Sequence, residues 1–202
     1  MRKRVKRGAA LFQNGEKFRS LYAVRSGFFK TELTSSDGRA QITGFQVPGE
    51  LLGLDGLASE LHSVDAIALE DSEVCVLPFG DLERIARDFQ PLQHQLHRVM
   101  SREIVRDNGV MMLLGSMKAE ERVAAFLLNL SERYRTLGYS DTEFVLRMTR
   151  AEMGSYLGLK LETASRAVSK LQDMGIISVN GKSVTITDKP GITRFINGSK
   201  SS

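Results

Sequence analysis

The 202-residue chain has no tryptophan, only four prolines and a single cysteine, Cys75. One thiol excludes an internal disulfide framework and suits a reducing cytoplasm. A self-contained Cys/His zinc module lacks its ligands. His94 and His97 are spaced to face a metal together on a helix, but no third ligand accompanies them. No apolar run is long enough for a membrane-spanning helix. The N-terminus, Met1-Arg2-Lys3-Arg4-Val5-Lys6-Arg7, is basic with no apolar stretch behind it, so it is no secretory signal. It reads as a solvated or frayed terminus, or else as a phosphate-binding arm. The excess of positive over negative charge is small. The 28 Lys+Arg against 24 Asp+Glu leave +4, which permits a polyanionic partner without demanding one. No nucleophile–base pair, paired carboxylates or phosphate cradle appears. Gly53 and Gly56 bracket Leu54-Asp55 without opening a helix after a strand, so an enzyme is not expected.

What is present is a soluble-protein composition, 42% hydrophobic and 26% charged, with length for one large domain or two small ones. Short apolar or alternating stretches fill residues 1–78: Leu21–Val24, Phe28–Leu33, Ala40–Phe45 and Val74–Leu77. Asn14-Gly15, Ser26-Gly27, Asp37-Gly38 and Pro48-Gly49 punctuate them, which predicts a small β-barrel or sandwich. After Pro78 the period changes. Phe79–Phe89 fits a short helix, and Pro91 then opens a proline-free stretch to about Met117. Steps of three and four along it pick out His97, Met100, Ile104, Asp107, Met111 and Leu114, a coiled-coil seam. Such a helix, with little neighbouring chain to cover it, predicts pairing with a second copy. Asp107 would then face its twin, and Gly109 lies nearby. Either helix rotation lets Asp107 reach solvent, or like-charge repulsion keeps the dimer marginal so that a signal can tip it. Met100, Met111, Met112 and Met117 read as packing.

Ala119–Leu137 is a further amphipathic helix, stopped by Gly138. Residues 142–148 look extended. The strongest local signal follows. Thr149-Arg150-Ala151-Glu152 is a capping box opening a helix through Leu157. Gly158 turns the chain, and a second helix runs from Leu161 to Met174 with Ala164, Ala167, Val168 and Leu171 inward. Gly175 stops it. Two strands, Ile176–Val179 and Ser183–Thr187, join at Asn180-Gly181. Helix, glycine turn, helix and hairpin make a winged helix-turn-helix. The outward residues near the start of the second helix, Glu162, Ser165 and Arg166, are the candidate base readers, with Leu161 beside them a candidate DNA contact. Arginine grips guanine O6 and N7, and glutamate accepts from cytosine N4. Arg150, Lys170 and Lys182 are candidate phosphate contacts, as is the helix N-terminus. A winged helix used for protein contact is the competing reading. Lys160 stands where a capping Ser or Thr is expected.

These segments resemble the cyclic-AMP receptor protein superfamily, and within it the fumarate-and-nitrate-reduction (FNR) branch. Leu21-Tyr22-Ala23-Val24-Arg25-Ser26-Gly27, Gln41-Ile42-Thr43-Gly44-Phe45, Ala119-Glu120-Glu121-Arg122 and Leu161-Glu162-Thr163-Ala164-Ser165-Arg166 carry the resemblance. It implies an α+β fold: an N-terminal double-stranded β-roll like the cyclic-nucleotide-binding jelly roll (1–90), a long dimerisation helix (91–118) and a C-terminal winged helix-turn-helix (119–202). It also implies a homodimer reading TTGAT-like palindromic half-sites in double-stranded DNA through Glu162, Ser165 and Arg166. Ile104 and Asp107 match the branch's dimer-control positions, and the loop at Asp37-Gly38-Arg39 is where such regulators touch RNA polymerase.

Two departures bear on the signal. In the cyclic-nucleotide branch a glutamate holds the ribose and an Arg-Ser pair holds the phosphate. Here those positions fall on Leu54 and on His62-Ser63, which argues against cyclic AMP. The FNR branch holds a [4Fe–4S] cluster on four thiolates. Cys75 matches the fourth and the other three are absent. The chain is therefore expected to be either a shortened form of a cluster-bearing regulator or a natural short form using another signal. By itself Cys75 reads as a buried strand residue; by resemblance it is a candidate ligand in a longer form.

Overall fold

The computed structural model describes residues 1–35 and 37–198. The chain divides into two compact units, Met1–Asn108 and Gly109–Ser202.

In the first unit, eight strands form two four-stranded antiparallel sheets. The strands are β1 (Arg2–Val5), β2 (Ala10–Phe12), β3 (Ser20–Ser26), β4 (Phe29–Thr34), β5 (Ala40–Gln46), β6 (Leu51–Leu52), β7 (Asp65–Ala68) and β8 (Ser72–Pro78). One sheet runs β1-β8-β3-β6 and the other β2-β7-β4-β5. Period-2 alternation sends one side of each strand inward. Val5, Leu11, Phe12, Val24, Phe29, Leu52, Ala66, Ala68 and Val74 meet in the core, with Tyr22 and Val64 against them. Alanines at 66 and 68 leave room opposite Thr31 and Phe29, their partners in register.

The basic N-terminus is not frayed. Arg2–Val5 is strand β1, paired antiparallel with β8 from Arg2↔Cys75 to Val5↔Ser72. Only Val5 faces the core; the cations lie outside. Glu73 draws them together, receiving Arg25 at 2.5 Å, with Arg4 at 3.7 Å and Arg2 at 3.8 Å. Lys6 pairs with Asp71 at 2.7 Å. These carboxylates, remote in sequence, let a strand of like charges persist at a sheet edge.

Helix α1 (Phe79–Asp88) leads into α2 (Gln90–Ser116), 27 residues with none fully buried. The expected seam is open to solvent: Ile104 is 61% and Met111 66% exposed, and Met100, Val105 and Met112 are exposed beside them. Asp107 is exposed as well.

The second unit holds α3 (Ala119–Thr136), β9 (Glu143–Val145), α4 (Arg150–Tyr156), α5 (Leu161–Asp173), β10 (Ile177–Asn180), β11 (Ser183–Ile186) and α6 (Lys189–Gly198). Its sheet runs β10-β11-β9. Val123, Phe126, Leu127 and Leu130 of α3 are buried, as are Ala164, Ala167, Val168 and Leu171 of α5. These are the faces the helical period selects.

Candidate nucleic-acid interface

The reading unit is built from α4, α5 and the β10–β11 hairpin. Helix α4 begins as its sequence dictates. Thr149 Oγ1 accepts from the Glu152 amide at 3.1 Å, and Glu152 Oε2 accepts from the Thr149 amide at 2.8 Å. A cap of this kind contributes about 1 kcal/mol. The turn into α5 is tight. A Cβ on Gly154 would sit 2.7 Å from the Leu159 carbonyl, and Gly158 takes φ +63°. Glycine at both positions lets α4 and α5 approach closely. Lys160 occupies the N-cap of α5 in extended conformation with no side-chain hydrogen bond. The first amides of α5 therefore lack a side-chain acceptor, and the positive end of the helix is turned outward.

With its apolar face inward, α5 presents Leu161 (47% exposed), Glu162, Arg166 and Lys170 to solvent, and Ser165 half-buried. Glu162 and Arg166 stand four residues apart yet form no ion pair with each other or with any described residue. A carboxylate and a guanidinium held on one face without neutralising each other are both available for outside hydrogen bonds. Lys170 is different. Its Nζ lies 3.0 Å from Glu120 Oε1 on α3, and that hydrogen bond lowers the Glu120 pKa. Arg150, in the first turn of α4, is half-buried with no partner among the described residues, and burial pulls its pKa down. A desolvated, unpaired cation at a positive helix end is poorly placed for stability and well placed for an incoming anion.

The wing differs by one residue from the sequence expectation. Asn180 pairs with Ser183, so the two-residue loop is Gly181-Lys182 rather than Asn180-Gly181. Gly181 has φ +59° and Lys182 is not left-handed, the signature of a type II′ turn with glycine first. This puts Lys182 at the exposed tip.

Residues 121–195 match the Crp-like helix-turn-helix domain, and 2–89 match the cyclic nucleotide-binding domain. The chain is 49% identical to the transcriptional regulatory protein btr of Bordetella pertussis, over 96% of this chain and 81% of that one. It is 47% identical to the anaerobic regulatory protein of Pasteurella multocida, over 93% and 68%. Its fold matches FixK2 from Bradyrhizobium japonicum at TM-score 0.88 and 29% identity, over 96% of both chains.

The chain belongs to the CRP/FNR family.

It is a DNA-binding transcription regulator and not an enzyme. The β-roll and the winged helix-turn-helix are the family's two domains. Among the described residues no helix is long and apolar enough to cross a membrane, and no group of three or more His, Cys, Asp or Glu could hold a metal ion.

Gly53 turns at φ +96° into a 3-10 turn, Leu54–Gly56. His62 is buried, stacked on Phe12 with ring centroids 3.7 Å apart. Its Nδ1 lies 3.5 Å from Asp55 Oδ1, while the Ser63 amide donates to Asp55 Oδ2 at 2.8 Å. A carboxylate thus faces His62-Ser63, an unfavourable setting for an anion. Cys75 is half-buried. Alternation sends Val74 into the core and Cys75 to the opposite side of β8, so it is not the buried core residue that strand propensity alone suggests. A [4Fe–4S] cluster takes four thiolates and this chain supplies one; the residues present do not fit it.

Proposed function

We propose that this regulator works as a homodimer which reads a palindromic operator of TTGAT-like half-sites, one half-site per α5. Glu162, Ser165 and Arg166 read base edges, and Leu161 offers apolar contact to a thymine methyl. Arg150, Lys182 and the α5 N-terminus bind phosphates, with Lys170 joining them once it leaves Glu120. The observation that carries this reading is the pair Glu162 and Arg166: exposed on one face, four residues apart, and unpaired among the described residues.

Dimerisation through α2 is supported by its uncovered apolar stripe. Met100, Ile104 and Met111 are exposed with Val105 and Met112 beside them, and Leu114 is half-buried. Asp107 interrupts the stripe with no partner among the described residues. The working division is a sensor roll over 1–90, the dimerisation helix over 91–118 and the reading domain over 119–202.

The β4–β5 loop is a candidate contact for RNA polymerase in the cytoplasm. It projects an exposed Asp37–Arg39 ion pair at 2.6 Å about Gly38, φ +82°. Hydrogen bonds from Arg39 and Ser35 hold Asp37 down to about 2. That charge pattern is fixed across the physiological range. Asp55 facing His62-Ser63, and Leu54 in place of the ribose-binding glutamate, argue against cyclic AMP as the signal. Oxygen sensing through a cluster would need three thiolates beyond Cys75.

The test is a gel shift at stated salt, with a TTGAT…ATCAA duplex against a scrambled one. Specific retardation is expected. Glu162→Ala should relax discrimination at one base pair by about 1–3 kcal/mol. Equal affinity for both duplexes would refute base reading.

A further inference from the structure

One side chain ties together the end of α2, the start of α3 and the end of α4. Arg122 donates from Nη2 to the Leu114 carbonyl at 2.7 Å, from Nε to the Met117 carbonyl at 2.9 Å, and from Nη1 to the Leu157 carbonyl at 3.1 Å. Leu114 belongs to the last turns of α2, Met117 follows that helix, and Leu157 caps α4. Helix ends leave carbonyls without backbone partners, and a cation is favoured there. Gly158 lies close to both Leu114 and Arg122. At Gly158 a Cβ would lie 3.3 Å from Leu114 Cδ2 and 3.5 Å from Arg122 Nη1. Leu114 is also the last residue of the apolar seam, and α5 begins three residues beyond Gly158, at Leu161.

We propose that Arg122 is a positioning residue that sets the spacing at which two copies of α5 meet the operator. This rests on the dimeric reading above. A planar fork with five donors in fixed directions holds three acceptors from two helix ends in one arrangement; an ammonium cannot. The α4–α5 corner does not depend on it, because Gly154 against Leu159 and Ala164 packs by itself. Without the clasp each α5 keeps its base-reading face. It loses its fixed placement against the end of the dimer helix, and with it the advantage of binding two half-sites at once.

The experiment uses the full chain carrying Arg122→Lys. Fluorescence anisotropy is read at one salt concentration on four duplexes: the palindrome, the palindrome with its spacer changed by one base pair, a single half-site, and a scrambled sequence. Sedimentation checks the dimer and thermal melting checks the fold. The expected result is a loss of about tenfold or more on the palindrome, with single-half-site affinity within about twofold of wild type. The preference for the natural spacer should collapse. Wild-type spacer preference in Arg122→Lys overturns the proposal. So does a parallel fall on palindrome and half-site, which would make Arg122 a brace for the fold alone. If Arg122→Lys melts below the assay temperature, the four duplexes are read with both proteins at a temperature below that melt, by the same two criteria. Wild-type protein that fails to prefer the palindrome over the scrambled duplex refutes the proposed function instead, so the two failures are distinguishable.

Discussion

Lys170 is held by Glu120 in the protein without DNA, and in the proposed operator complex it exchanges that partner for a phosphate. The pair is part-exposed, at 59% for Lys170 and 26% for Glu120. Solvent screening limits such a pair to about 0–1 kcal/mol, so a phosphate can displace it. Two substitutions separate the halves of this exchange. Glu120→Gln removes the competitor, and operator affinity should rise by up to about fivefold, the equivalent of about 1 kcal/mol. Lys170→Gln removes one phosphate contact. The slope of log K against log salt should become shallower by about 0.9. Between 50 and 200 mM salt that makes the wild-type advantage shrink about 3.5-fold. Both are measured by anisotropy titrations at four or more salt concentrations on the same operator duplex. If Lys170→Gln leaves the slope unchanged and Glu120→Gln leaves affinity unchanged, Lys170 stays on Glu120 in the complex. It is then an internal brace between α3 and α5 and no DNA contact.

Three further outcomes follow from particular residues. Asp107→Ala removes a like-charge meeting on the order of 1 kcal/mol from the α2 seam; it should tighten the dimer severalfold by analytical ultracentrifugation, and an unchanged constant would mean that Asp107 reaches solvent. Gly154→Ala forces a Cβ to 2.7 Å from a backbone carbonyl, which should cost about 1–3 kcal/mol and lower the melting temperature of the second unit by several degrees; an unchanged melt would show that the corner yields. Lys189 bonds Asp141 at 2.6 Å and Glu132 at 3.1 Å, which lowers both carboxyl pKa values and raises its own. The carboxylate share of this stability is complete above about pH 4 and is lost as pH falls through the lowered values. The lysine share is complete below about pH 10 and is lost as pH rises through the raised value. Lys189→Met should therefore melt earlier than wild type at pH 7, with the gap closing in acid; a gap that persists undiminished at pH 2 contradicts the assignment.

Most of the reading unit was legible because its signals act within a few residues. Thr149 and Glu152 bond each other across one helical turn, and a spacing of three along the chain is enough to foresee it. The inward set Ala164, Ala167, Val168 and Leu171 follows from helical period alone. The wing turn slipped by one residue because Asn-Gly favours a turn, whereas the register of Ile177 with Ile186 and Val179 with Val184 fixed which two residues form the loop. Strand β1 was hidden for another reason. Its pattern carries cations where a strand usually alternates, and the carboxylates that make this tolerable, Asp71 and Glu73, lie some seventy residues away. Strand β7 was missed too, its core-facing alanines giving little hydrophobic signal.

Local spacing along the chain determined the helices, their caps, the exposed face carrying Glu162 and Arg166, and the apolar stripe of α2. It could do so because periodicity and capping are properties of neighbours in sequence. The tertiary structure alone decided which charges are spoken for: Lys170 by Glu120, His62 beside Asp55, and three carbonyls by Arg122, while Arg150 was left half-buried and, among the described residues, unpaired. Whether an ionic group is free to bind something else depends on what packs within a few ångströms of it, and those groups arrive from tens of residues away.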